Sequence, residues 1–179
     1  MVLAKEFPLA QIKKKRQPKL YTLGEYLDYE DRTKDRHAYY NGKIKKLPMA
    51  KGPHNIIMAN VIFALKSALK TQSLNYIVMG SQQKVYMPSL NFSNYPDVLV
   101  VCEKPEYFDD NEQLLINPVL IVEILSKSTR KYDEGNKFTE YKTLDSLKEY
   151  VLIEQDKPQI ESRFREEPNL WRFETTEGL

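Results

Sequence analysis

One cysteine, Cys102, occurs in 179 residues, and it sits inside an apolar run. A lone thiol rules out a disulfide framework within the chain, and no other ligand stands at a spacing that would make it a zinc site. A buried core thiol is the remaining reading. No apolar run reaches about 18 residues, so no membrane span is expected. The first residues lack the apolar stretch of a secretory signal, which makes the cytoplasm the expected location. There is no glycine-rich phosphate loop and no Gly-x-Ser-x-Gly elbow, so the nucleotide-binding and serine-hydrolase signatures are missing. Internal repeats and low-complexity segments are also absent.

What is present suits one domain with a sizeable core, since 41% of the residues are hydrophobic. The net charge of +2 is uneven: Lys5, Lys13, Lys14, Lys15, Arg16 and Lys19 face only Glu6 in the first 20 residues, a local +5 that leaves −3 for the rest. Residues 1–19 therefore read as a basic, extended arm, either solvated or suited to phosphate contact. Residues 20–179 read as a single domain whose net-acidic body offers no broad basic surface.

Thr22-Leu23-Gly24-Glu25 is a capping box that starts a short helix through Tyr29. Glu30 to Arg36 reads as a turn or second helical piece. Asn41-Gly42 predicts a type I′ hairpin, with the second strand over Lys43–Leu47. Ile57, Val61, Ala64, Leu65, Ala68 and Leu69 recur at helical spacing and predict a helix over 55–71. Strand pieces come next at 76–79 and 83–87 with Gly80 as a bulge between them, then a loop at 89–93. Two apolar strands at 95–101 and 119–125 are joined by a polar, acid-rich loop. A loop at 126–129 leads to a helix over 131–143, and further strands lie at 149–154, 159–165 and 170–175. The order gives an α/β fold with α+β character: a central mixed β-sheet flanked by helices. The segment from 119 to 153 has the lengths of a βαβ crossover.

Each of the two apolar strands carries one carboxylate, Asp97 and Glu123. A buried carboxylate is costly unless paired, hydrogen-bonded or bound to a metal. Two that converge repel and raise one pKa, unless a divalent cation neutralises both. Mg²⁺, or Mn²⁺, suits Asp97 and Glu123 with the Ile124 carbonyl as a third protein ligand, and phosphodiester hydrolysis is the chemistry such a site performs. Lys137, one turn into the next helix, can lean back over the strand end as the accompanying cation. Tyr141, a further turn along the same face, can hydrogen-bond beside it. His54, at the start of the long helix, can meet phosphate there, although hydrogen bonding that positions the loop is the commoner role. His37 lies among charges and gives no signal. Each residue also has a structural alternative: Asp97 capping a turn at a strand start, Glu123 pairing with Lys137 or Arg130, and Lys137 forming a surface pair with Asp133 or Tyr141.

Tyr95-Pro96-Asp97-Val98, the block Asn117 to Ser126, then Ser128-Thr129, Tyr132-Asp133, Gly135, Lys137-Phe138 and Tyr141 resemble a family of restriction-endonuclease-like proteins in the PD-(D/E)XK nuclease superfamily. The resemblance runs from about Tyr21 to Arg165, and Leu147-Lys148-Glu149-Tyr150 extends it. It implies a restriction-endonuclease-like core and a Mg²⁺-type site on Asp97 and Glu123. The usual superfamily lysine, two residues after the acid, is Leu125 here; the resemblance puts that charge on the next helix, at Lys137. Two family acids are missing, with Ala38 and Gln82 at the matching positions, and the turn reads Asn41-Gly42-Lys43 where an acid-flanked Asp-Gly-Glu is usual.

Two functions are expected on these grounds. One is a Mg²⁺-dependent endonuclease acting on DNA, in which a homodimer would pair two sites on a duplex. The other is a catalytically weakened nuclease-like binding or assembly module, motivated by Ala38 and Gln82.

Overall fold

Thr22 closes the capping box. In a computed structural model, which describes residues 19–72 and 75–178, the Thr22 hydroxyl accepts from the Glu25 N–H at 3.1 Å and the Glu25 carboxylate accepts from the Thr22 N–H at 2.8 Å. Helix α1 (Leu23–Arg32) comes next and buries Tyr26 and Glu30. It therefore takes up the first part of the stretch read as a turn. The basic arm expected over residues 1–19 lies outside the described residues apart from Lys19.

The Asn-Gly turn joins β1 (His37–Tyr40) to β2 (Lys43–Lys46), with Tyr40 opposite Lys43. Asn41 and Gly42 take φ of 42° and 89°, as a type I′ turn requires. Helix α2 (Gly52–Thr71) starts three residues earlier than its periodicity implied, with Pro53 in its first turn. After strand β3 (Tyr76–Gly80) the chain changes sheet to β4 (Lys84–Met87). Gly80 is thus a strand end rather than a bulge. The segment expected as a loop at 89–93 is a 3-10 turn at Pro88–Leu90 and β5 (Phe92–Asn94). Strand β6 (Val98–Cys102) begins after Pro96, which removes a backbone donor, so Asp97 stands at the strand's entrance rather than inside it. The acid-rich loop contains a 3-10 turn at Phe108–Asp110 and the two-residue β7 (Leu114–Leu115).

Strand β8 (Pro118–Leu125) is buried from Ile121 to its end. After it come α3 (Arg130–Tyr132), a π-turn over Asp133–Lys137 and α4 (Phe138–Tyr141) in place of one regular helix. Strands β9 (Glu149–Glu154), β10 (Gln159–Glu167) and β11 (Leu170–Glu177) complete the chain.

The strands form two sheets rather than one. Five run in the order β2-β1-β5-β4-β7 and six in the order β11-β10-β9-β8-β6-β3. Both are mixed, because β4 pairs parallel to β7 and β8 parallel to β9. Ala38, Val85, Met87 and Phe92 of the smaller sheet share one core with Leu99, Ile121, Tyr150 and Leu152 of the larger. Each large apolar side chain among them contributes about 1.5–3 kcal/mol by burial. In the larger sheet β8 lies between antiparallel β6 and parallel β9. Such a central strand is covered on both faces, hence its unbroken apolar sequence. Val98 faces Val122, so the next pair at that end is Asp97 and Glu123. At the far end the register shifts between Val100 and Val101, leaving Val119 as a bulge whose carbonyl accepts from the Lys148 N–H at 2.8 Å.

Gly42 is where the hairpin is most exacting: a Cβ there would stand 3.1 Å from Leu20 Cβ, on a backbone with φ of 89°. Gly42→Ala is expected to cost about 1–2 kcal/mol, lowering the melting temperature by about 2–4 °C per kcal/mol in a thermal scan.

Candidate active site

The start of β6 and the end of β8 open into one cleft of about 660 Å³ that Asp97, Glu123, Ile124, Lys137 and His54 all line. Glu123, at 1% exposure, is the most deeply buried acid. Lys137 Nζ lies 2.6 Å from its Oε2 and 3.3 Å from Asp133 Oδ1. Arg130, the other candidate partner for Glu123, instead forks onto Glu154 and also reaches Glu134. Glu123 Oε1 is buried and has no hydrogen-bond partner among the described residues.

Asp97 is held from two sides. The Ile124 N–H donates to its Oδ2 at 2.8 Å, and His54 Nε2 lies 3.0 Å from the same oxygen. Facing a carboxylate, Nε2 carries the hydrogen and donates it. His54 therefore orients Asp97 rather than capping its helix, and its Nδ1 is buried without a partner among the described residues. Tyr141 departs from expectation. It is fully buried in the core, tilted against Tyr150, and its hydroxyl has no partner among the described residues. It stays one turn beyond Lys137 and near enough for the Glu123 charge to act on it, but it points into the core beneath the cleft and not into the opening.

The electrostatics arise from three carboxylates sharing one ammonium. Burial pushes the Glu123 carboxyl well above its ordinary value; Lys137 opposes this, while Asp97 and Asp133 add to it. Burial acts the same way on Asp97, but the His54 hydrogen bond, the Lys137 charge and the Ile124 N–H outweigh it and hold Asp97 below its ordinary value. Burial would lower Lys137, yet Glu123, Asp133 and Asp97 keep it above the ordinary lysine range. The Tyr141 hydroxyl is pushed well up by burial.

Five cations line the outer part of the cleft: Arg36, Lys45, Lys46, Lys51 and Lys127. The four lysines are exposed. Lys46 pairs with Asp35 at 2.5 Å and Lys127 with Asp156 at 4.0 Å, both weak, exposed contacts. Lys45 lies 5.6 Å over the Tyr132 ring. Asp156 lines the same cleft, so this is a local cluster of cations and not the broad basic surface that the net charge argued against. The Lys43-Ile44-Lys45-Lys46 strand was the available signal. Sequence reasoning also missed the wall behind the cleft, where buried Glu30 accepts from the Tyr95 hydroxyl at 2.6 Å and contacts His37 Nδ1 at 2.7 Å. The positions of the two missing family acids lie off the lining. Ala38 is packed in the shared core, and Gln82 is exposed on the turn after β3.

The same cleft and fold can be set beside known proteins. A family model, Uma2, described as "Putative restriction endonuclease", matches residues 23–178. The chain belongs to the Uma2 family. An uncharacterized protein of Synechocystis sp. is 31% identical over 137 residues, 76% of each chain, and a second from the same organism is 28% identical over 153 residues, 82% of this chain and 75% of that one. A crystal structure described as a putative nuclease of DUF820 from Anabaena variabilis superposes with a TM-score of 0.69 over 88% of this chain and 85% of that one, at 20% identity. That likeness shows the shared restriction-endonuclease-like fold. No described helix is long and apolar enough to cross a membrane.

Family membership implies a divalent cation, and the donors can be tested for it. No group of three or more His, Cys, Asp or Glu side chains is arranged as an ion site among the described residues. Magnesium needs less, because it commonly takes one or two carboxylates and keeps several waters. Asp97, the orphaned Oε1 of Glu123 and the backbone at Ile124 fit that requirement, and once Glu123 gives up its proton the three acids exceed the one lysine by two charges, the charge of a divalent ion.

The raised Glu123 value has a consequence for stability. The native state keeps a proton on Glu123 at pH values where the unfolded chain, at the ordinary 4.5, has released it. Its contribution is full below about 4.5 and lost as pH rises through the folded value. Relative to wild type, Glu123→Gln should therefore gain stability as pH increases above 4.5. Urea denaturation at a series of pH values checks this, and a constant or falling difference contradicts it.

Proposed function

We propose that this protein is a divalent-metal-dependent endonuclease that hydrolyses phosphodiester bonds in DNA. The observation that supports it best is the convergence of Asp97, Glu123 and Lys137 in one cleft, from three separate elements. Asp97 and Glu123, with the Ile124 carbonyl, would hold Mg²⁺ or Mn²⁺. The chemistry such an ion supplies when bound is polarisation of a phosphoryl oxygen and acidification of a water.

The chain's own residues do the rest. Hydrogen bonds from His54 and the Ile124 N–H fix Asp97 Oδ2, leaving its other oxygen for a ligand. Lys137, held in its charged form, places an ammonium at the cleft floor where negative charge develops during hydrolysis. The five cations of the rim would neutralise phosphates on either side of the scissile bond. That arrangement, an acidic floor under a basic rim, matches a polyanion that must reach a cation. DNA rather than RNA rests on the family's description as a restriction endonuclease.

The alternative of a weakened binding or assembly module drew on the missing acids at 38 and 82. Neither position lines the cleft as it stands, and Asp97, Glu123 and Lys137 meet there without them.

Supercoiled plasmid should be nicked or linearised with Mg²⁺ or Mn²⁺, and Asp97→Ala and Glu123→Ala should fall to background. Lys137→Met should lose about 10²–10³ in rate, the usual cost of removing one charge-stabilising group. An Asp97→Ala protein cutting at the wild-type rate would sink this assignment. Titration calorimetry with Mn²⁺ separates the alternative, because a degenerate site would show no heat that depends on Glu123.

A further inference from the structure

Helix α2 is 20 residues long, yet His54 is its only buried residue. Its inner face, with Ile57, Ile62 and Leu65, is at most half-buried, and Ile62 packs over Gly80 of β3. The outer face carries Ile56, Ala59, Asn60, Phe63, Ala64 and Ser67, all exposed. Ile56 is 64% exposed and Phe63 74%. The helix contains no acid, and its only charged residues, Lys66 and Lys70, lie near its C-terminal end. A surface helix normally turns charged residues outward; this one turns out large apolar groups.

The neighbouring sheet edge is equally unguarded. Strand β3 reads Tyr-Ile-Val-Met-Gly, without a charge or proline, and is an outermost strand of the larger sheet. The opposite edge, β11, carries Arg172, Glu174 and Glu177, the kind of charged edge that discourages pairing. Among the described residues one edge is thus protected and the other left open, and α2 packs beside the open one.

We infer that α2 and β3 form the interface between two copies of this chain, related by a two-fold axis. The surface favours a second copy over a charged partner because it offers almost no charge to complement. An antiparallel edge strand can pair with its own copy across a dyad, and small residues beside Phe63 let two α2 helices approach. The area is adequate. A 20-residue helix is about 30 Å long and 10 Å across, so its outward half presents on the order of 600 Å². The strand edge, about 17 Å long, brings the total near the roughly 800 Å² per partner of a standard interface. This inference stands apart from the nuclease reading, since it uses no residue of the cleft floor.

Sedimentation velocity and light scattering across a concentration series test it. The full-length wild type should have twice the 21.1 kDa chain mass, and Phe63→Glu and Ile56→Glu should each shift the protein to a single-chain mass. Circular dichroism of the variants should match wild type, since both side chains are exposed in the single chain, while their melting should lose the concentration dependence that a dimer imposes. A wild type that stays monomeric at about 100 μM, whatever else covers the face, overturns the inference. So does a dimer that survives both substitutions.

Discussion

Three acids crowd around one lysine in a space that water barely reaches, and the arrangement at the end of β8 depends on that balance. Glu123 cannot be ionised there without Lys137, and Lys137 cannot stay charged there without Glu123 and Asp133. Breaking one partner from such a buried pair typically costs about 3–5 kcal/mol. The lysine also leaves the cluster short of positive charge. Keeping a buried acid of this kind is costly to the fold, and under the proposed function the retained deficit becomes a demand for an outside cation.

The backbone makes the demand specific. Because β6 runs antiparallel to β8, the entrance of one strand and the exit of the other lie at the same end of the sheet. The parallel partner β9 obliges the chain to cross over after β8, and the crossover carries Asp133 and Lys137 back over that end. Three segments distant in sequence are thereby fixed on one mouth. Helix α2 adds His54 from a fourth, and β2 supplies lysines to the rim.

Much of this was legible in the sequence, for identifiable reasons. The capping box and the Asn-Gly turn are local chemistry, decided within four residues, and both formed as read. The strands around Asp97 and Glu123 were legible because a central strand is apolar throughout. The change of sheet at Gly80 was not, because sheet membership depends on tertiary pairing that periodicity does not carry. The depth of Tyr141 was hidden too: spacing puts it one turn beyond Lys137 but does not say that Tyr150 packs against it, so it read as a cleft residue when it is a core one. The apolar outer face of α2 was not legible because Ile56 and Phe63 fall nearly opposite the stripe that defines the helix.

The bulge at Val119 bears on how the sequence can change. It sits at the end of the β6–β8 pair away from the acids, where the loop of residues 103–117 enters the sheet. An insertion or deletion in that loop pulls on β8 from its N-terminal side. A slip of one residue carried along the strand would send Glu123 to the opposite face. The bulge, pinned through its carbonyl to Lys148, offers a place where a length change can be taken up before it reaches Val122. The part of the loop before β7 can thus change in length and composition while the spacing of the two carboxylates stays fixed.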